Sequence, residues 1–104
     1  MKVKILLCCG AGMSSGFIAK KVRQAAKADG VADVSCTAQA ESTIGPSLPT
    51  VDIVCLGPHL RPKYEQIKAQ CDQYGAKCMV IPAEIYSTIN GEGLYKLIKE
   101  ELNK

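Results

Sequence analysis

Apolar positions along the chain follow two periods that alternate. In Val3-Lys4-Ile5-Leu6-Leu7-Cys8, Val3, Ile5 and Leu7 fall on one face of an extended strand, and Leu6 and Cys8 on the other. Apolar residues on both faces mark a central strand of a parallel sheet. From Ser14 the period becomes helical. Ile18, Val22, Ala25 and Ala26 form one stripe, Lys20, Arg23 and Lys27 lie on other faces, and Asp29-Gly30 stops the helix. Val31 to Ala40 alternates loosely around Val34 and Cys36 and suits an edge strand. Glu41 to Thr50, interrupted by Gly45-Pro46 and Pro49, predicts a loop or one short helical turn. Val51 to Leu56 is a third strand, turned by Gly57-Pro58-His59. Pro62 suits the start of a helix in which Tyr64, Ile67, Cys71 and Tyr74 share a face and Gly75 is the cap. Lys77 to Ile81 is a fourth strand. Beyond Pro82, Ala83 to Tyr86 suits a helical turn. Asn90 can cap a last helix whose Leu94, Leu97, Ile98 and Leu102 face the core.

Strands that alternate with helices predict a parallel sheet between two helical layers. The expected fold is α/β, a small flavodoxin-like three-layer arrangement with four parallel strands in the order 2-1-3-4. Right-handed crossovers then set the ends of strands 1 and 3 side by side at a switch point. The 104 residues suit one domain, 1–104.

The longest apolar runs, Ile5 to Cys9 and Ile53 to Leu56, are too short to span a bilayer. Met1-Lys2-Val3-Lys4 leads straight into a strand pattern without a signal-peptide core, so a cytoplasmic location is expected. A net charge of +3, much of it on Lys20, Lys21, Arg23 and Lys27, is mild. Nucleic-acid binders are more basic and set stacking aromatics beside the charge. Only Phe17 lies in that helix, so no nucleic-acid partner is expected. The cations read as a solvated face that can also steer an acidic protein partner. The six cysteines include no C-x-x-C pair, and His59 is the single histidine, so no metal or other cofactor is expected. Cys36, Cys55, Cys71 and Cys78 sit in apolar patterns as small buried residues.

The chemistry concentrates in Leu7-Cys8-Cys9-Gly10-Ala11-Gly12-Met13-Ser14-Ser15-Gly16. Strand alternation sends Cys8 into the packed layer and leaves Cys9 as the first loop residue. The small residues of Gly10-Ala11-Gly12 let successive backbone N–H groups curl around one point, an anion-binding nest. The helix start adds unpaired N–H groups and a partial positive charge, and Ser14 and Ser15 add hydroxyls. The same surroundings favour a thiolate at Cys9. A nucleophilic thiol in a phosphate-shaped cradle points to phosphoryl transfer through phosphocysteine. The plainer alternative is a tight strand-to-helix turn with two incidental thiols. The loop lacks the Gly-Lys-Ser/Thr of a phosphate-binding nucleotidase loop and is no G-x-G-x-x-G fingerprint. Cysteine phosphatases place an arginine six residues after the cysteine, and here that position is Ser15. Without a guanidinium on the equatorial oxygens, the loop suits a carrier better than a hydrolase. A phosphatase or arsenate-reductase-like enzyme and a non-catalytic anion-binding module stand as alternatives.

The sequence resembles the enzyme IIB component of the bacterial sugar phosphotransferase system, lactose/cellobiose (chitobiose) class. The resemblance covers the whole chain and is carried by Cys9-Gly10-Ala11-Gly12-Met13-Ser14-Ser15, Leu56-Gly57-Pro58 and Tyr86…Asn90-Gly91. It implies that Cys9 takes phosphate from a phosphohistidine of enzyme IIA. Cys9 would then pass it to a sugar, of the β-linked disaccharide kind, bound by the membrane component enzyme IIC. It implies the four-stranded parallel sheet already read from the periods. Members of the family often have Asp where Pro82 stands, so no catalytic acid is assigned there. Gly16 takes the place of a larger residue.

Other residues have two readings each. Ser14 and Ser15 suit phosphate donors or helix caps, and Met13 suits packing or an exposed partner contact. Pro58, His59 and Tyr86 suit a site rim or partner contact. His59 can equally be a surface loop residue and Tyr86 a packing residue.

Overall fold

The computed structural model describes residues 3–9, 13–31, 33–40 and 43–103, with only the backbone described for Cys9, Met13, Ser14, Ser15 and Ala40. In chain order the elements are β1 (Val3–Cys9), α1 (Met13–Ala28), β2 (Val34–Ala40), β3 (Ile53–Leu56), α2 (Tyr64–Gln73), β4 (Lys77–Val80), α3 (Ala83–Ser87) and α4 (Gly91–Leu102). Two 3-10 segments, Gly45–Thr50 and Pro58–Lys63, flank β3. The four strands form one sheet in the order β2-β1-β3-β4, and every pairing is parallel.

The alternation read from the sequence assigns the two faces of the sheet. Ile5 and Leu7 of β1 and Ile53 and Cys55 of β3 pack under Ile18 and Val22 of α1 and Leu94 and Ile98 of α4. Leu6, Cys8, Val54 and Leu56 face the other way, onto Leu48, Leu60, Ile67 and Cys71. Helices therefore cover both faces, and the three-layer expectation holds.

Several local expectations shift. β1 runs one residue further, so Cys9 ends the strand instead of beginning the loop. β2 starts at Val34 because Gly30 (φ +80) and Val31 close the end of α1: the N–H of Gly30 donates to Lys27 O and that of Val31 to Ala26 O. Tyr74 leaves the apolar stripe of α2 and is 52% exposed. The same kind of closure explains it. Gly75 adopts φ +76, and the N–H of Ala76 donates to Cys71 O, so Ala76 takes the buried place beside Cys71. Pro62 lies inside the 3-10 segment rather than at the start of α2. Asn90 caps α4 as expected, its Oδ1 accepting the Gly93 N–H at 3.0 Å.

Two contacts fix α4 on α1. Gly91 lies against the backbone of α1, and a Cβ there would sit 2.3 Å from Lys21 Cβ and 2.8 Å from Val22 N. At the other end, the Tyr95 hydroxyl and the Lys99 ammonium both donate to Asp29 Oδ2, at 3.0 and 2.9 Å. The hydrogen bonds from Lys99 and then Tyr95 hold the Asp29 carboxyl below its ordinary value. The Asp29 bond in turn raises Lys99.

Replacing Gly91 with Ala forces two backbones apart and is expected to cost about 1–3 kcal/mol. Gly45→Ala, with nothing within 4 Å of the added Cβ, is the matched control. Thermal melts of the two variants check this; a Gly91→Ala melt equal to the control's would contradict the close packing. The Asp29 contribution has a defined sign. With a depressed folded value, it is present above the ordinary carboxyl range and lost as pH falls through the folded value. The Lys99 contribution is complete below the ordinary lysine range and lost only in strong alkali. Asp29→Asn should therefore melt lower than wild type at neutral pH, and the gap should close in acid. A gap independent of pH from neutral to strongly acidic buffer would contradict the ion pair.

Candidate functional site

Among the described strands, β1 is the one with its two neighbours reached in opposite directions: α1 carries the chain to β2, and the chain then crosses to β3 on the other side. The crevice outside the carboxyl ends of β1 and β3 is thus the switch point, where such sheets bind ligands. Cys9 ends β1 there. Its backbone pairs with Ala40 on one side, and on the other Cys8 O accepts the Gly57 N–H at 2.9 Å.

Met13, Ser14, Ser15 and Gly16 form the first turn of α1, which holds no acidic residue. The partial positive charge of the helix start is therefore not offset by a carboxylate of that turn. Gly10, Ala11 and Gly12 of the expected phosphate-binding loop lie outside the described residues. Gly16 is exposed, with nothing within 4 Å of an added Cβ, so packing does not demand a glycine there.

The other expected residues come together around Gly57, whose N–H bonds to Cys8 of β1. Pro58 opens the 3-10 segment and is half-buried, His59 is exposed, and Tyr86 of α3 is half-buried. The His59 and Tyr86 rings have centroids 6.0 Å apart with planes tilted by 58°. Both close over Gly57. A Cβ on Gly57 would lie 2.6 Å from His59 Cε1, 3.0 Å from Nδ1 and 3.5 Å from Tyr86 Cε1. The sequence marks Gly57 only as part of a turn, yet at φ −60 its backbone needs no glycine. The requirement is close approach, which only the fold reveals.

Five of the thiols are buried: Cys8, Cys36, Cys55, Cys71 and Cys78. Burial pushes the Cys36 thiol up to about 12 and the Cys55 thiol well above its ordinary value. A hydrogen bond with Cys71, together with burial, pushes the Cys78 thiol up as well. The expectation that Cys8, Cys36, Cys55, Cys71 and Cys78 are small core residues holds. A surface feature the patterns did not single out is Phe17, in the second turn of α1 and 65% exposed. Its place on the polar side of the helix was the available signal.

Residues 4–97 match the family described as PTS system, Lactose/Cellobiose specific IIB subunit. Over 93 residues the chain is 26% identical to the PTS system oligo-beta-mannoside-specific EIIB component of Bacillus subtilis (strain 168), covering 89% of each chain. Its fold is similar to that of the lactose-specific IIB component domain from Streptococcus pneumoniae, with a TM-score of 0.86 at 18% identity over 96% of this chain and 97% of that one. The solution structure of the cellobiose-specific phosphotransferase IIB component from Borrelia burgdorferi gives a TM-score of 0.79 at 27% identity, over 99% of this chain and 94% of that one. With its sheet order and helical layers matched by IIB domains and nearly all its length matched by the family, the chain belongs to the lactose/cellobiose-specific IIB family and is a component of phosphotransferase-system sugar phosphotransfer.

Proposed function

We propose that this chain is a phosphocarrier that holds its phosphoryl group on Cys9. The observation that carries the reading is the position of Cys9 at the carboxyl end of the central strand, before the first turn of α1, while the other five thiols are buried. In the first step the Cys9 sulfur attacks the phosphorus of a phosphohistidine on enzyme IIA. The P–N bond breaks and the imidazole leaves. In the second, a sugar hydroxyl presented by the membrane component enzyme IIC attacks the phosphorus, the S–P bond breaks and the thiolate is restored. The backbone N–H groups of Gly10, Ala11, Gly12, Met13, Ser14, Ser15 and Gly16, with the Ser14 and Ser15 hydroxyls, hold the phosphoryl oxygens. Ser15 at the position of the phosphatase arginine leaves the loop able to hold phosphate but poor at passing it to water.

The names of the relatives, an oligo-beta-mannoside and cellobiose component, support a β-linked disaccharide or short oligosaccharide as acceptor. No helix among the described residues is long and apolar enough to cross a membrane. Exposed Phe17, with exposed Lys20 and Lys21 one turn on, gives the donor an apolar anchor flanked by cations.

Mixing the protein with phosphorylated enzyme IIA and weighing it intact should show one added phosphoryl group, labile as a thiophosphate and absent in Cys9→Ser and Cys9→Ala. Phosphate retained on Cys9→Ala would overturn the assignment. Rapid turnover of an aryl phosphate would favour the hydrolase alternative, and phosphate binding without transfer the anion-binding module. Phe17→Ala should raise KM for the phosphorylated donor roughly tenfold, with a melt within about 0.5 kcal/mol of wild type. An unchanged KM would remove Phe17 from the docking surface.

A further inference from the structure

The register places a vacancy beside Cys9 and shows what fills it. Cys8 pairs with Leu56 and its carbonyl accepts the Gly57 N–H, so position 9 of β1 lies next to position 57, the residue that follows β3. Alternation gives position 9 the face of Ile5 and Leu7, and position 57 the face of Ile53 and Cys55. These are the same face. Positions 9 and 57 are therefore same-face neighbours on adjacent strands, about 5 Å apart. Position 57 has no side chain, and the imidazole of His59 occupies the space where one would stand. Tyr86 backs that imidazole from α3.

We propose that His59 is the charge-setting residue of the Cys9 site, its imidazole held in the side-chain space of Gly57 so that an N–H faces the anion carried at position 9. That anion is the thiolate in the resting protein and the phosphoryl group in the loaded one. The inference rests on the reading of Cys9 as the reactive residue. Protonated, the imidazole favours the anion by charge and hydrogen bond; neutral, it contributes only a hydrogen bond. Arg61 and Lys63 lie on its own segment, Glu65 on α2, Lys77 on β4 and Glu84 on α3. Lysine, arginine and carboxylate side chains as a class hold their charge between about pH 6 and 8, where histidine is the type that changes. The pairing with Gly57 also explains the glycine: any Cβ would push the imidazole out.

The test needs the whole chain and no partner protein. Iodoacetamide alkylation rates at Cys9, with the modified peptide identified by mass, are measured across pH for wild type, His59→Gln and Gly57→Ala. Near pH 6 the wild type should react roughly tenfold faster than His59→Gln, and the ratio should fall towards one above about pH 8. Gly57→Ala should follow His59→Gln, because its methyl group displaces the far end of an exposed side chain. Thermal melts should show both variants folded. A ratio of one at every pH, or a ratio that does not change with pH, overturns the proposal. A His59-dependent profile in a protein that takes no phosphoryl group from enzyme IIA would count against the phosphocarrier reading and leave this inference standing.

Discussion

The structure depends on the confinement of β1. It is paired along both edges and covered on both faces, and Ile5, Leu6 and Leu7 are 2%, 0% and 1% exposed. Fully burying such side chains stabilises the fold by roughly 1.5–3 kcal/mol each, so the strand cannot be shifted without losing most of the core. A strand held in this way can present chemistry only at its end. At the carboxyl end its two neighbours diverge, and the chain turns into the N-terminus of α1. The end of β1 at Cys9 and the start of α1 therefore meet where the sheet leaves room, and that is where the proposed chemistry is placed.

The same confinement sorts the cysteines. Cys8 and Cys9 are adjacent in sequence, yet one faces the layer of Leu6 and Leu56, and the other ends the strand. Burial disfavours a thiolate. Cys36, pushed up to about 12, and Cys55, pushed well above its ordinary value, stay protonated and act as small apolar residues. Position in the sheet thus separates Cys9, at the end of β1, from five buried thiols.

Most of the fold was legible because it rests on periodicity. The two faces of β1, the stripe of α1, the Asn90 cap and the strand order all follow from side-chain spacing and handed crossovers. Tyr74 departs from the stripe because spacing says nothing about where a helix closes; α2 ends at Gln73, one residue before the stripe would be completed, and Gly75 turns the chain. Tyr95 was missed for a different reason. It is 6% exposed, and its hydroxyl finds Asp29, 66 residues away in sequence, a pairing that no local pattern carries. At the site, the small residues after the apolar strand point to a loop, but Gly10, Ala11 and Gly12 lie outside the described residues. His59 and Tyr86 could be grouped as a rim from the ends of the strands, but their close approach to Gly57 could not, since it depends on α3 returning over the sheet.

The glycines show why such a site needs the whole fold. Gly30 and Gly75 are required by positive φ, and each ends a helix. Gly57 and Gly91 have another cause, the approach of a neighbour into the space of a missing side chain. In sequence the two kinds look alike. Gly91 seats α4 on the backbone of Lys21 and Val22, and that contact fixes α1, whose first turn follows the Cys9 loop. Gly57 admits the imidazole from the side of β3. A displacement of a few tenths of an ångström at either glycine moves one wall of the crevice relative to β1, which cannot follow because both its edges are paired. The confinement of the central strand makes two close approaches, one beside its carboxyl end and one at the α1–α4 seam, determinants of how its neighbours sit against it.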